Sequence, residues 1–430
     1  MRYWLRLLSV LSLVPLLAQP AQAQVAAVPG SDLTVYLATF GPGDAVWEKF
    51  GHNAIWIRDA TTRTSTSYNY GMFHFDQPGF VPRLMKGRML YSMGVYDAEA
   101  ELAAYMDRNR SVWVQQLNLT ADQKHRLREY LEQNYARDGG SYLYDYFRDN
   151  CSTRIRDALD HVLGGSIRRA LVGTSTGTTF RSHSLRLTAA SIPTYTGLML
   201  GLGRPTDRAI DAWEESFIPM ELMSHLRNVM VSDADGNPRP LVAEERIAFD
   251  AVRQPPPDQA PSRVLGYLIV GIGLAAGLTT LARRGPDSRR AQVALAILVS
   301  LWGVLTGFFG SLLALLLLTD HSAAHSNLNL LQVNPLGFLL AVAGPLAIVA
   351  AQRFPRMARL AWPAALALAG LSATGLMLHL VPSLAQDNGP IIALALPVHL
   401  ALVLCLYHMV APEMSPIEDK SLQLRLNDAA

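Results

Sequence analysis

The strongest constraint on this 430-residue chain is an abrupt change of character near residue 260. From Val264 onward the sequence is nearly all Leu, Ala, Val, Ile and Gly, broken by short polar loops. Five apolar stretches there are long enough to cross a bilayer, at roughly 18 residues or more each. They lie near 264–282, 291–318, 335–351, 360–381 and 390–410. Arg283, Arg284, Arg289 and Arg290 separate the first two stretches, and Arg353, Arg356 and Arg359 separate the third and fourth. The loops 319–334 and 382–389 hold no Lys or Arg, whereas Lys420 and Arg425 follow the last stretch. The positive-inside rule then puts both arginine loops and the tail in the cytoplasm, and everything before Val264 outside.

The start of the chain agrees independently. Arg2 and Arg6 flank an apolar run, Leu7 to Leu17, and Ala21-Gln22-Ala23 follows as a small-x-small cleavage site. That is the pattern of a secretory signal peptide. The expected organisation is a signal peptide over 1–23, an exported domain over 24–253, a Pro-rich linker over 254–263, a five-helix membrane domain over 264–411 and a cytoplasmic tail over 412–430. The formal net charge is +2, so no nucleic acid or other bulk polyanion is expected as a partner.

The exported part reads as an α+β domain, with strands and helices in separate blocks. Leu33–Phe40, His52–Arg58 and Val112–Leu119 alternate and are rich in branched and aromatic residues, as strands are. Asp59–Arg63 reads as a turn, and Thr64–Tyr70 as the returning strand of a hairpin. Thr120 and Gln123 form a capping box before a helix whose apolar face is Leu127, Leu131 and Tyr135. Asn150 is a favoured N-cap for a second helix, with Ile155, Leu159 and Val162 turned inward.

That second helix carries the sharpest chemical feature. Cys151 is one of two cysteines in the chain, the other being Cys405 in an apolar run. An unpaired thiol is unusual outside the cytoplasm. At the first helical position, main-chain N–H groups and the helix dipole favour a thiolate and are expected to lower its pKa. The same groups can hold an oxyanion when sulfur attacks a carbonyl. His52, at the start of a strand, is the candidate proton acceptor. Asn69 or Tyr68 on the returning strand is a candidate to orient the imidazole, while Asn53 points to the opposite face. Asn150, Ser152 and Arg154 are candidate oxyanion or positioning residues, and Arg154 and Arg156 are candidates to bind phosphate. His183 is a candidate to line a cleft. In the polar outer loop, Asp320, His321, Asn329 and Asn334 are candidates to contact lipid headgroups or to close over the site. A solvated loop with helix caps is the plainer reading of that segment. No zinc spacing, phosphate loop or nucleophile elbow is present, so no metal or cofactor is expected.

His first, then Asn-Cys at a helix start, resembles the circularly permuted, papain-like NlpC/P60-type thiol enzymes, among them lecithin:retinol acyltransferase-like proteins. More narrowly, the chain resembles the bacterial Lnb-type lipoprotein N-acyltransferases. The resemblance rests on Gly51-His52-Asn53, on 68–73 (YNYGMF), on 149–157 (DNCSTRIRD), on 201–207 (GLGRPTD) and on the loop from Asp320-His321 to Asn334-Pro335. It implies acyl transfer at the outer face of the inner membrane, with Cys151 as nucleophile and His52 as base. The donor would be a membrane phospholipid or a lipoprotein's own diacylglyceryl group. The acceptor would be the α-amino group of a diacylated lipoprotein's first cysteine. Two rival readings are a membrane-tethered murein peptidase or amidase using the same pair, and a non-catalytic membrane scaffold.

Overall fold

The computed structural model describes residues 28–410. The signal-peptide segment and the tail after residue 410 lie outside them. The N-terminal domain is built on a seven-stranded sheet. Its strands are β1 (Leu33–Phe40), β2 (His52–Asp59), β3 (Thr64–Phe73), β4 (Leu90–Asp97), β5 (Val112–Leu117), β6 (Tyr142–Leu143) and the later strand Val242–Phe249. Their order is Val242–Phe249, β5, β1, β2, β3, β4, β6, and every neighbouring pair is antiparallel. This is the α+β arrangement expected of strands joined by hairpins rather than by crossover helices.

Alternation along the strands sorts the two faces. Leu33, Val35, Leu37, Ile55, Ile57, Tyr68 and Tyr70 bury into a core shared with Leu127 and Leu131 of the helix Ala121–Ala136 and with Ile155, Leu159 and Val162 of the helix Cys151–Val162. Tyr135, expected on that apolar face, is instead exposed, lining an open surface pocket with Met72 and Gly94 in the last turn of its helix. The opposite face carries Ala38, Phe40, Ala54 and Trp56, covered by the helix Ala98–Asp107. Both expected caps are present. Thr120 and Gln123 make their capping box, and Asn150 Oδ1 accepts from Ser152 N and Thr153 N at 2.9 Å each.

In the C-terminal part, four helices are long and apolar enough to cross a membrane: Val264–Arg284, Arg289–Leu316, Pro355–Leu378 and Gly389–Tyr407. The chain is a multi-pass membrane protein. The third expected stretch forms only the 13-residue helix Gly337–Val349. At 1.5 Å per residue that is about 20 Å, short of the ~30 Å hydrocarbon core. Pro335 sets its late start, because the chain before it runs as a loop and a short 3₁₀ turn, Leu328–Leu331. The short helix nevertheless runs antiparallel along Arg289–Leu316. A methyl group added at Gly310 would lie 2.5 Å from the Asn334 main chain, Ser300 Oγ donates to the Ala341 carbonyl at 3.0 Å, and Arg289 reaches the Val349 carbonyl. Gly303 and Gly307 sit against Gly337, Phe338 and Ala341 with no room for a Cβ, which is how helices associate where lipid is as apolar as leucine.

The two parts are fastened together by hydrogen bonds. The helix Ile192–Gly201 ends with unsatisfied carbonyls, as every helix does. Asn327 Nδ2 donates to the Leu200 carbonyl at 2.8 Å, and Asn329 Nδ2 to those of Met199 and Leu200 at 2.9 and 3.0 Å. Asn388 Nδ2 donates to Asn329 Oδ1 at 2.9 Å, and Gln386 Nε2 to the Leu202 carbonyl at 3.2 Å. Main-chain bonds from Gly203 N to Ala323 O and from Asp320 N to Lys86 O add two further fixing points.

Candidate active site

Cys151 occupies the first position of its helix and is partly exposed. The helix start is held by Asn150, whose Nδ2 donates to the Tyr146 carbonyl at 3.0 Å and the Phe217 carbonyl at 2.9 Å. Both ends of the Asn150 amide are therefore spent on structure, and the helix start is pinned between two loops. Next to it, Ser152 Oγ lies 2.8 Å from Asn53 Oδ1 and 2.7 Å from the Ser216 carbonyl. Its single proton serves one of them. Asn53 Nδ2 donates to Thr39 Oγ1 at 2.8 Å, so Asn53 joins the Cys151 helix to β1 and β2 from the face opposite His52.

The end of β3 brings the thiol helix over the sheet. Pairing of β3 with β4 slips between Tyr70 and Met72, leaving Gly71 in a bulge at φ +85°. That backbone conformation favours glycine. A Cβ at Gly71 would also lie 3.1 Å from the Cys151 Cβ. Across the sheet, Ala54 pairs with Asn69, so His52, at the start of β2, and Asn69 share one face of the hairpin. His52 Nε2 and Asn69 Oδ1 are 2.8 Å apart, and the imidazole stacks on Phe40 with ring centroids 5.9 Å apart.

Behind this pair runs a chain that sequence reasoning missed. Asn69 Nδ2 donates to Ser67 Oγ at 2.9 Å, and Ser67 Oγ donates to Glu101 Oε2 at 2.5 Å. Trp56 Nε1 donates to the same carboxylate oxygen at 2.9 Å. Burial pushes the Glu101 carboxyl up, against the bonds from Ser67, Trp56 and Asn69. The order of donors has a consequence. Ser67 gives its one proton to Glu101, so its oxygen accepts from the Asn69 amide. Asn69 must then turn its carbonyl oxygen to His52. His52 Nε2 carries the proton and Nδ1 is the basic nitrogen.

The electrostatics reverse one expectation. Burial pushes the Cys151 thiol up to about 11, although the main-chain N–H groups of Asn53, Ser152 and Cys151 itself pull the other way, as does Arg110. Desolvation therefore outweighs the helix start. Burial likewise holds the His52 imidazole down at about 4, with Asn69 opposing it and Arg110 adding to it. The resting pair is a neutral thiol and a neutral imidazole. Arg110 itself is buried, donating to the Gly41 carbonyl at 2.8 Å and to Glu48 at 3.3 Å. The Asn53 N–H directed at the sulfur belongs to the peptide that follows His52, so the thiol lies beside the start of β2, the strand end that carries the imidazole.

The other candidates fall elsewhere. Arg154 grips Asp149 through Nε and Nη2 at 2.5 and 2.7 Å and lies over the Tyr142 ring. Arg156 pairs with Asp157 and covers Trp213. His183 is buried, with Nε2 2.8 Å from Glu215 Oε1 and Nδ1 accepting from Arg186 Nε at 3.0 Å. Glu215 also binds His225 at 2.8 Å. Burial pushes the Glu215 carboxyl up, but His183, His225 and Thr178 override it and hold it well below the usual range. In the outer loop, Asp320 pairs with Arg88 and His321 Nε2 lies 2.9 Å from the Leu84 carbonyl. Asn334 serves its own turn through the Leu336 N–H and the Leu330 carbonyl. The hydrogen bonds of Asp320, His321, Asn329 and Asn334 thus fasten the loop and the domains, and none of them runs to Cys151 or His52.

No cluster of three or more His, Cys, Asp or Glu among the described residues is arranged to hold a metal ion. Comparison with known proteins gives no match to a curated protein and none to a solved structure. A family model does match, over residues 20–184, and its family is described as the Lnb N-terminal periplasmic domain. That stretch contains His52, Asn69, Glu101 and Cys151, and it stops short of the membrane helices. From residue 20 to residue 184, the chain is thus similar to the periplasmic domain of the Lnb family.

Proposed function

We propose that this protein is a lipoprotein N-acyltransferase of the Lnb type, working at the outer face of the bacterial inner membrane through a Cys151 thioester. The observation that carries the reading is a helix-start thiol beside the strand end that carries His52, an imidazole held by Asn69, on a domain fastened to a membrane bundle. The match of residues 20–184 to a periplasmic domain family supports the side of the membrane. The path of 334–349 along Arg289–Leu316 supports a fifth crossing, completed by non-helical chain packed between helices.

In this mechanism the thiol is not ionised in advance. His52 Nδ1 takes the Cys151 proton as sulfur attacks the ester carbonyl of a membrane glycerolipid. The oxyanion is received by the N–H groups of Cys151 and Asn53, since Ser152 N–H is engaged by the Asn150 cap. The C–O bond breaks, His52 returns the proton to the departing alkoxide, and a thioester remains. The neutral α-amine of a lipoprotein's first cysteine then attacks. His52 takes its proton, the C–S bond breaks, and sulfur regains a proton from His52 as the amide forms. Both substrates keep their acyl chains in the bilayer, where extraction of each CH₂ costs about 0.8 kcal/mol.

Replacing Cys151 by Ser tests this directly. Lipoproteins from cells relying on the variant are expected to keep a free amino terminus by mass spectrometry. Fully N-acylated lipoproteins, with no second such enzyme present, would rule the reading out. A changed muropeptide profile with unchanged lipoproteins would favour the peptidase reading, which the bundle of helices does not call for, because one span suffices as a tether.

A further inference from the structure

The short helix Phe80–Lys86 exposes a compact apolar face. Val81, Leu84 and Met85 lie at i, i+3 and i+4, and Val81 and Met85 are 60% and 63% exposed. Phe75, in the loop just before the helix, is 76% exposed. Residues of this size at helical spacing on a surface mark a contact with something apolar. What that is follows from the other end of the same helix. The Lys86 carbonyl accepts from Asp320 N at 2.9 Å, the Leu84 carbonyl lies 2.9 Å from His321 Nε2, and Arg88 pairs with Asp320. Asp320 comes four residues after the end of the membrane helix Arg289–Leu316. Four residues reach at most about 14 Å, and the turn bonds Leu318 N to Leu315 O and Thr319 N to Leu316 O shorten this further. The helix is therefore tied close to the outer end of a membrane helix, next to the headgroup layer, which is about 5–8 Å thick on each side of the hydrocarbon core. Arg83 and Lys86 lie on the opposite face of the same helix, and cations on the polar face are the pattern of a segment lying in an anionic lipid surface.

We propose that Phe75 and the helix Phe80–Lys86 form a wedge seated in the bilayer leaflet on this side, its occupant a glycerophospholipid surface. The wedge is continuous with the thiol. Phe75 and Phe80 pack against Phe73 with ring centroids 4.7 and 6.0 Å apart. Phe73 stands two residues along β3 from Gly71, the residue that touches Cys151. The aromatic cluster thus joins the wedge to the strand end whose Gly71 lies beside Cys151. The surface exists whether or not the thiol transfers acyl chains.

The test is spin-label accessibility on the full chain in nanodiscs of phosphatidylethanolamine and phosphatidylglycerol. Native cysteines are replaced by Cys151→Ser and Cys405→Ala, so the result is independent of the acyl-transfer reading. Labels go at Val81→Cys, Met85→Cys and, as a control, Thr61→Cys in the β2–β3 turn, at the far end of the roughly 30 Å length of β3. Labels at 81 and 85 are expected to be open to oxygen and closed to a water-soluble nickel chelate, with the ratio several-fold above that at 61. An aqueous pattern at 81 and 85 matching 61 would overturn the proposal. Shielding from both reagents would also overturn it, since the face would then be covered by protein.

Discussion

Asn69 accepts from His52 on one side while its amide nitrogen donates, through Ser67, into the buried carboxylate of Glu101. This relation fixes a tautomer, and the tautomer decides which imidazole nitrogen is free to take a proton. Glu101→Ala would release the Ser67 proton and let the Asn69 amide turn round, presenting NH₂ to His52 and moving the basic nitrogen away. We expect the turnover number of Glu101→Ala to fall by up to about 100-fold, within what a positioned general base contributes, with KM little changed. Nitrogen NMR of His52 should show the shift to the Nδ1–H form. An unchanged tautomer with lost activity would make Glu101 merely structural.

Gly71→Ala should abolish any activity of Cys151 while leaving the chain foldable. The substitution forces a side chain onto φ +85° and puts its methyl 3.1 Å from the Cys151 Cβ. Such backbone strain costs on the order of 1–3 kcal/mol. Thermal unfolding in detergent should show that loss. Alkylation of Cys151 followed by intact mass should show a changed rate, because the thiol helix must move.

The half-buried pair makes a two-sided pH signature. Cys151 has its pKa raised by burial from 9.0 to about 11, so its contribution to stability is full below pH 9 and is lost as pH rises toward 11. His52 has its pKa lowered by burial from 6.5 to about 4, so its contribution is full above pH 6.5 and is lost as pH falls toward 4. Denaturation midpoints should form a plateau between those limits. Cys151→Ala should make the alkaline limb shallower, with Tyr68 and Tyr91, also raised by burial, still contributing to it, and should leave the acid limb unchanged. Iodoacetamide should label the thiol slowly at pH 8, where on the order of one molecule in a thousand is thiolate. A labelling midpoint below pH 8 would show that the thiol is ionised in advance.

Asn329→Leu removes one donor each from the Met199 and Leu200 carbonyls, which keep Arg181 and Asn327, and leaves the buried Asn388 Nδ2 without its acceptor Asn329 Oδ1. An orphaned group of this kind costs about 1–3 kcal/mol. We expect the joint between domain and bundle to loosen, seen as faster proteolysis in the Pro-rich segment 254–263, with the sheet itself intact by circular dichroism.

Local pattern carried much of this molecule. The alternation of Leu33–Phe40 and His52–Arg58, the turn at 59–63 and the caps Thr120 and Asn150 all read directly, because each is decided by neighbours in sequence. His52 and Asn69 also came together, since a short hairpin leaves few registers open. Glu101 did not, because its role depends on a helix crossing β3 from more than thirty residues away. The Gly71 bulge needed the register of β4. The thiol's raised pKa needed the depth of its burial, which a helix start does not reveal. The third apolar stretch was long enough by composition, yet the chain up to Leu336 is spent on the loop and its 3₁₀ turn, and only 13 residues form helix. The polar outer loop showed its amides but not the helix end they serve.

That loop changes what the proline-rich segment means. A sequence such as Pro255-Pro256-Pro257 suggests a domain that swings on a stalk and searches the space above the bilayer. With Asn327 and Asn329 locked onto the end of Ile192–Gly201, and Asp320 onto Lys86, the domain has no such freedom. The sulfur stands at one fixed height and one bearing over the lipid. On the acyl-transfer reading, a substrate held in the leaflet would diffuse in the plane of the membrane to a stationary point and rise to meet it there. The encounter would then be a two-dimensional search, governed by how crowded the leaflet is rather than by how long the stalk is.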